Sequence, residues 1–176
     1  MSSISLLFFE LGGISVPYEA NYELRQFYQE IEAAEVLRFM DGSSEKQTSF
    51  SGPLRTRIEA TGDLPHALDG LDYSQQLLMK CAAPRVIGSA SNVIALPGKR
   101  RADALFEPYG YAVLNGERVD MPVNLAGDIA TVDFVAGATH YGVHYFPQIT
   151  VWATPPESDI ALTDGEFGWA LEAEEV

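Results

Sequence analysis

Leu54-Arg55-Thr56-Arg57-Ile58-Glu59-Ala60 alternates apolar or small residues with charged ones at a strict period of two. Only an extended strand places 54, 56, 58 and 60 on one face and 55, 57 and 59 on the other. The stretch therefore predicts a half-buried strand that packs through one face and carries charge on the other. Upstream, Gly52-Pro53 reads as a break in the chain. Before it, Val36 to Met40 predicts a strand, Asp41-Gly42 a turn, and Lys46 to Phe50 the returning partner. Residues 22–36 are open at this level: Leu24, Phe27, Tyr28 and Ile31 have helical spacing, yet Ala33-Ala34 lies in a stretch that also suits a strand. Nearer the start, Ile4 to Phe9, closed by Gly12-Gly13, and Ile14 to Tyr18, with Pro17 inside, suit short strands near an edge.

Downstream, Asp63 to Gly70 has an early proline and a closing glycine and fits a short helical turn or a compact loop. Leu77 to Cys81 and Val93 to Leu96 are short apolar strands. Asn115-Gly116, between Tyr111 and Val113 on one side and Val119 and Met121 on the other, is the strongest hairpin signal, because both residues accept positive φ. Ile129 to Val135, Tyr141 to Trp152 and Trp169 to Val176 complete about ten strands, with turn signals roughly every ten residues. That spacing predicts an all-β or strand-dominated α+β chain: an antiparallel sandwich or barrel with at most one or two short helices. Residues 1–176 read as one domain, with long loops at 83–92 and 154–166 that suit partner binding.

Apolar residues make up 47% of the chain and charged residues 20%, which is globular rather than disordered composition. The single cysteine, Cys81, lies in an apolar stretch and reads as a small buried hydrophobe. Met1 to Phe9 lacks a basic region, so a secretory signal is not expected. No stretch reaches the roughly 20 apolar residues of a membrane span, and a membrane role is not expected. The net charge is −14, and residues 101–176 hold only Arg101 and Arg118 against thirteen Asp or Glu. Gripping nucleic acid takes clustered Lys or Arg, so specific nucleic-acid binding is disfavoured; the acidic surface reads first as solubility, with a wall past which DNA slides or a face for a basic partner as the other reading.

Chemistry-bearing motifs are absent. His140 and His144 are four apart, but Tyr-Gly-Val-His-Tyr-Phe favours a strand, where two such imidazoles lie about 13 Å apart, too far for one metal. His66 follows Pro65 and reads as exposed. Asp69-Gly-Leu-Asp72 lacks the acidic alternation of a calcium loop. No nucleophile elbow, phosphate loop, dinucleotide fingerprint or Cys-x-x-Cys occurs. No catalytic, cofactor-binding or metal-ligating residue is assigned, and no cofactor is implied. Tyr141, Tyr145, Phe146, Trp152, Phe167 and Trp169 form an aromatic band whose alternation reads mainly as core, with a sugar-stacking or docking platform as the other reading.

The order Val36-Leu-Arg-Phe-Met-Asp-Gly42, Lys46-Gln-Thr48, Leu54 to Gly62, Gly70-Leu-Asp-Tyr73 and Cys81-Ala-Ala-Pro-Arg85 resembles small tail proteins of tailed bacteriophages and prophages. Tyr145 to Trp152 and Trp169 to Val176 are similar to that group as well. The resemblance implies a non-enzymatic structural protein of the virion tail, in the tube, tip, hub or baseplate region. It implies closed rings with copies of itself or with other tail proteins, assembly in the bacterial host cytoplasm, and an extended conformation for Phe27 to Met40. The alternatives are a carbohydrate- or receptor-binding β-module, with the aromatic band facing solvent, and a small hydrolase using two unmarked carboxylates.

Overall fold

The computed structural model describes residues 9–176, leaving the side chains of residues 49–51 outside the description. Of the run expected as a first strand, residues 4–8 lie outside the described residues. In chain order the strands are β1 (Glu10–Leu11), β2 (Ile14–Ser15), β3 (Glu23–Arg38), β4 (Ser44–Gly62), β5 (Leu77–Lys80), β6 (Arg85–Ser89) and β7 (Val93–Ala95). They continue as β8 (Tyr109–Leu114), β9 (Glu117–Met121), β10 (Val123–Ala126), β11 (Ile129–Val132), β12 (Ala138–Tyr145), β13 (Gln148–Ala153), β14 (Glu157–Ala161) and β15 (Glu166–Glu175). Two single-turn 3-10 helices, Tyr18–Ala20 and Ala104–Phe106, are the helical pieces among the described residues. The fold is strand-dominated and antiparallel, and its sheets are not closed into a barrel among the described residues.

Where the sequence reads as one domain, the chain clusters into two compact units: one ends at Leu78 and resumes at Thr150, and the other spans Met79–Ile149. The first carries the large sheet, in the order β2-β1-β5-β13-β15-β4-β3, with β14 also on β15. Its spine is β15 antiparallel to β4, from Phe167 opposite Gly62 to Glu174 opposite Arg55. The alternation of Leu54 to Ala60 holds as predicted: Leu54, Thr56, Ile58 and Ala60 are buried beside Trp169, Leu171 and Ala173. Trp169 is the anchor of that face. Its indole N–H donates to the Ala20 carbonyl at 2.8 Å, and its ring meets Phe9 at 6.1 Å and His66 at 5.7 Å. Gly62 lets the covering segment lie this close, because a Cβ there would stand 2.1 Å from the Glu19 carbonyl oxygen.

The second unit is a small two-sheet sandwich, β6-β12-β8-β9 over β10-β11-β7. Its core joins Ile94, Leu96, Ala112, Val132, Tyr141, Val143 and Tyr145. Gly110 is required there, since a Cβ would press on Val123 at 2.5 Å. The hairpin at Asn115-Gly116 forms as expected, with φ of 53° and 83°.

Two expectations are corrected and one open segment is resolved. The supposed long loops at 83–92 and 154–166 contain β6, paired with β12, and β14, paired with β15. Their Pro, Ser and Gly content masked short strands whose backbone groups are satisfied by a neighbour's ladder. Gly52-Pro53 does not break the chain either: the two residues stand opposite Ile31 alone, a bulge within continuous β4, with Gly52 at φ 114°. The ambiguous segment 22–36 is extended, as β3.

Gly62→Ala is predicted to destabilise the fold by about 3 kcal/mol, the upper end for overpacking into unyielding backbone. Chemical denaturation measures it. Full retention of stability would mean that the contact with residues 19 and 20 is looser than described.

Candidate functional site

Period-two pairing gives the outer face of the large sheet a trough. From β3 to β14, one row is Glu23, Thr61, Gly168 and Asp159, and the next is Arg25, Glu59, Ala170 and Glu157. Gly168 and Ala170 on β15 are small, so the taller side chains on either side leave a hollow of about 430 Å³. A second hollow of about 370 Å³ follows at Arg55, Trp152, Thr154, Glu172 and Glu174. Arg57, Pro155 and Glu172 lie in a smaller one that shares residues with both. Carboxylates dominate the walls. Arg57 bridges Glu59 at 2.7 Å and Glu172 at 3.0 Å, and Arg55 meets Glu174 at 3.0 Å. Glu59 and Glu172 together raise the Arg57 pKa further. All these pairs are solvent-exposed, so they organise the surface more than they stabilise it.

Under the first hollow lies a constellation the sequence did not announce. His66, expected to be exposed, is 3% accessible. Its Nδ1 accepts the Leu68 N–H at 2.9 Å and its Nε2 is 3.0 Å from the Ser158 hydroxyl, with an Asp69 carboxylate oxygen 3.7 Å away. The trio resembles a nucleophile, base and acid, but the hydrogen bonds run the wrong way. An Nδ1 that accepts a backbone N–H puts the proton of the neutral ring on Nε2, which then donates to Ser158 and has no lone pair to take its proton. Desolvation lowers the His66 pKa, reinforcing the neutral ring. The arrangement ties the 63–70 loop to β14, and only chain folding brings residues 66 and 158 together.

The outer face of β6-β12-β8-β9 carries a second feature. Register sets His144 opposite Tyr109 and Gly142 opposite Tyr111. The Tyr111 ring covers Gly142, whose Cβ would meet it at 2.3 Å. The His144 imidazole stacks on Tyr109 at 4.3 Å and 9° and leans on Tyr111 at 5.6 Å. Tyr109 approaches Phe146 at 6.4 Å, and Phe146 meets Phe106 edge-on at 5.0 Å. Guanidinium groups close both ends, Arg118 5.0 Å over Tyr111 and Arg101 3.3 Å over Phe106. Both ring nitrogens of His144 are buried with no hydrogen-bond partner. Burial first, and Arg118 second, lower its pKa.

The aromatic band of the sequence is thereby divided. Tyr141, Tyr145 and Trp169 are core, Phe146 belongs to the ring run, Phe167 is partly buried, and Trp152, at the end of the trough, is 49% exposed. His140 and His144 share a face of β12, but His140 contacts Thr139 while His144 contacts the tyrosines. Cys81 is buried. Among the described residues no group of three His, Cys, Asp or Glu side chains is arranged for a metal. Among them too, no helix is long and apolar enough to cross a membrane.

The third feature is an arm. From Ile31 to Pro53 no residue with a described side chain is buried. The β15 ladder on β4 stops at Arg55 opposite Glu174, and beyond it, among the described residues, β4 pairs with β3 alone. Paired residues then run out to Arg38 opposite Ser44, about 25 Å by strand rise. At the end Phe39 is 49% exposed and Met40 fully so, and Asp41 closes the turn by accepting the Ser43 N–H at 2.9 Å.

Comparison of the chain with family models, with curated proteins and with solved structures finds no match.

Buried His66 and the half-buried His144 generate a pH dependence. With a folded pKa below the unfolded value of about 6.5, each ring binds protons more readily in the unfolded chain. Their contribution is therefore complete above about pH 6.5 and is lost as pH falls through the lower folded values. The melting temperature is predicted to fall between pH 7.5 and 5, and His144→Phe, which keeps the stack without the titration, to fall less. Equal slopes for the two proteins would contradict the buried, neutral ring.

Proposed function

We propose that the chain is a structural protein of a bacteriophage tail, placed in the tube, tip, hub or baseplate region of the virion. It acts by associating with copies of itself and with other tail proteins, and not by catalysis. The observation that carries the reading is the β3–β4 arm. An isolated two-stranded ribbon is marginal in water, and exposed Val36, Phe39 and Met40 add an apolar surface that none of the described residues covers. A neighbouring subunit that covers the ribbon accounts for both. The resemblance carried by residues 36–42, 46–48 and 54–62 supplies the tail context.

Charge supports passage of DNA past such an assembly. Unit 79–149 holds six Lys or Arg and six Asp or Glu, so the whole net charge of −14 resides in the other unit. Of the thirteen acidic residues in 101–176, six stand on β14 and β15, beside the trough, with no Lys or Arg on those two strands to offset them. A surface of that sign offers phosphates no counterion-releasing contact.

Light scattering across a concentration series tests the reading. The protein is expected to form a discrete assembly, and a variant in which an Asn-Gly turn joins Glu30 directly to Leu54 to remain a folded monomer. A protein that stays monomeric at every concentration and is missing from electron-microscopy maps of virions would overturn it.

Exposed Trp152 favours a second reading, a carbohydrate-binding module, in which the indole stacks on a sugar and Glu172 and Glu174 accept its hydroxyls. That reading predicts glycan-dependent quenching of tryptophan fluorescence that Trp152→Ala abolishes. A flat titration against a glycan panel removes it.

A further inference from the structure

Two surfaces of this chain are uncovered and match in chemistry. One is the arm end, where Phe39 and Met40 project beside Asp41 and Glu45. The other is the outer face of β6-β12-β8-β9, where Val86 at 45% and Tyr109 at 42% exposure stand over the ring run, with Arg118 at one end. A flexible thioether and a phenyl ring pack well against tyrosine faces, and sulfur–aromatic contacts add to the burial.

Charge selects between the possible seats. Residues 31–52 hold Glu32, Glu35, Asp41 and Glu45 against Arg38 and Lys46, so the arm is net acidic. The unit that ends at Leu78 and resumes at Thr150 carries all of the chain's excess negative charge and repels it. The unit 79–149 is neutral overall, and beside Tyr111 it presents Arg118 in an exposed pair with Asp120 at 2.8 Å, which an incoming carboxylate can share.

We infer that the end of the β3–β4 arm, through Phe39 and Met40, seats in a second copy on the ring run around Tyr109 and Val86, with Asp41 and Glu45 toward Arg118. The inference rests on the self-association proposed above and names its surfaces. The two surfaces differ, so the contact is head-to-tail: it closes into a ring where the rotation allows and otherwise grows into a filament.

Complementation tests it. A tip variant, Phe39→Ser with Met40→Ser, keeps the seat and lacks the plug. A seat variant, Val86→Glu, keeps the plug and lacks the seat. Each alone is expected to be a folded monomer by light scattering and near-ultraviolet circular dichroism, and an equimolar mixture is expected to give a 1:1 pair and nothing larger. Tyr109→Glu repeats the seat test in case Val86→Glu disturbs the sheet. If the wild type assembles, the tip variant does not, and both seat variants still do, the arm sits elsewhere and the inference is overturned while self-association stands. A monomeric wild type overturns both.

Discussion

The first unit depends on the contact between Trp169 and the chain that crosses it. β15 and β4 share a period-two register, but a register alone leaves one apolar face open to water. The segment carrying Phe9, Val16 and Ala20 covers that face, and the indole N–H fixes its position by donating to the Ala20 carbonyl. Gly62 removes the one side chain that would hold the segment away. His66 also packs on the indole, which explains why an imidazole is buried there, neutral and hydrogen-bonded to backbone. The opposite face of the same two strands is released from packing duty. It can be charged along its length, with Gly168 and Ala170 setting the depth of the trough.

The division of charge follows from this arrangement. A sheet with one solvated face can carry rows of carboxylates and arginines without loss of core, as Glu59, Arg57, Glu172 and Glu174 do. The sandwich of residues 79–149 uses its cations differently. Arg101 is buried over Phe106 and bonded to the Cys81 carbonyl, and Arg100 holds Asp128 and the Gly127 carbonyl. Those guanidinium groups brace loops, which leaves the unit electrically balanced and its outer face governed by rings.

Much of the fold was legible in the sequence. Leu54 to Ala60 announced its faces, and Asn115-Gly116 and Asp41-Gly42 announced their turns, because period-two alternation and positive φ are local demands. What was hidden depended on partners remote in sequence. β6 and β14 look like loops until β12 and β15 supply their ladders, and Gly52-Pro53 looks like a stop until Ile31 shows that it is a bulge. The same limit applies to the candidate sites. His66 meets Ser158 across 92 residues, and Tyr109 finds His144 only through register. Tyr109-Gly110-Tyr111 did carry a signal, since two aromatics flanking a glycine on a strand put both rings on one face and leave the other face thin.

The arm shows how a chain can present an adhesive element without aggregating. A long, flat edge strand invites any other edge to pair with it. β3 avoids this with irregularities between Glu30 and Glu32 and between Ala33 and Ala34, which twist the ribbon, and with Glu32, Glu35 and Arg38 along it. Like-charged copies of the ribbon repel one another edge to edge, whereas its apolar end, Phe39-Met40, is unprotected. Indiscriminate strand pairing is thus suppressed and contact through the end is permitted. A surface that accepts the arm must therefore offer apolar area without excess negative charge, a requirement that the large acidic sheet fails and the ring run around Tyr109, where Arg118 balances Asp120, meets.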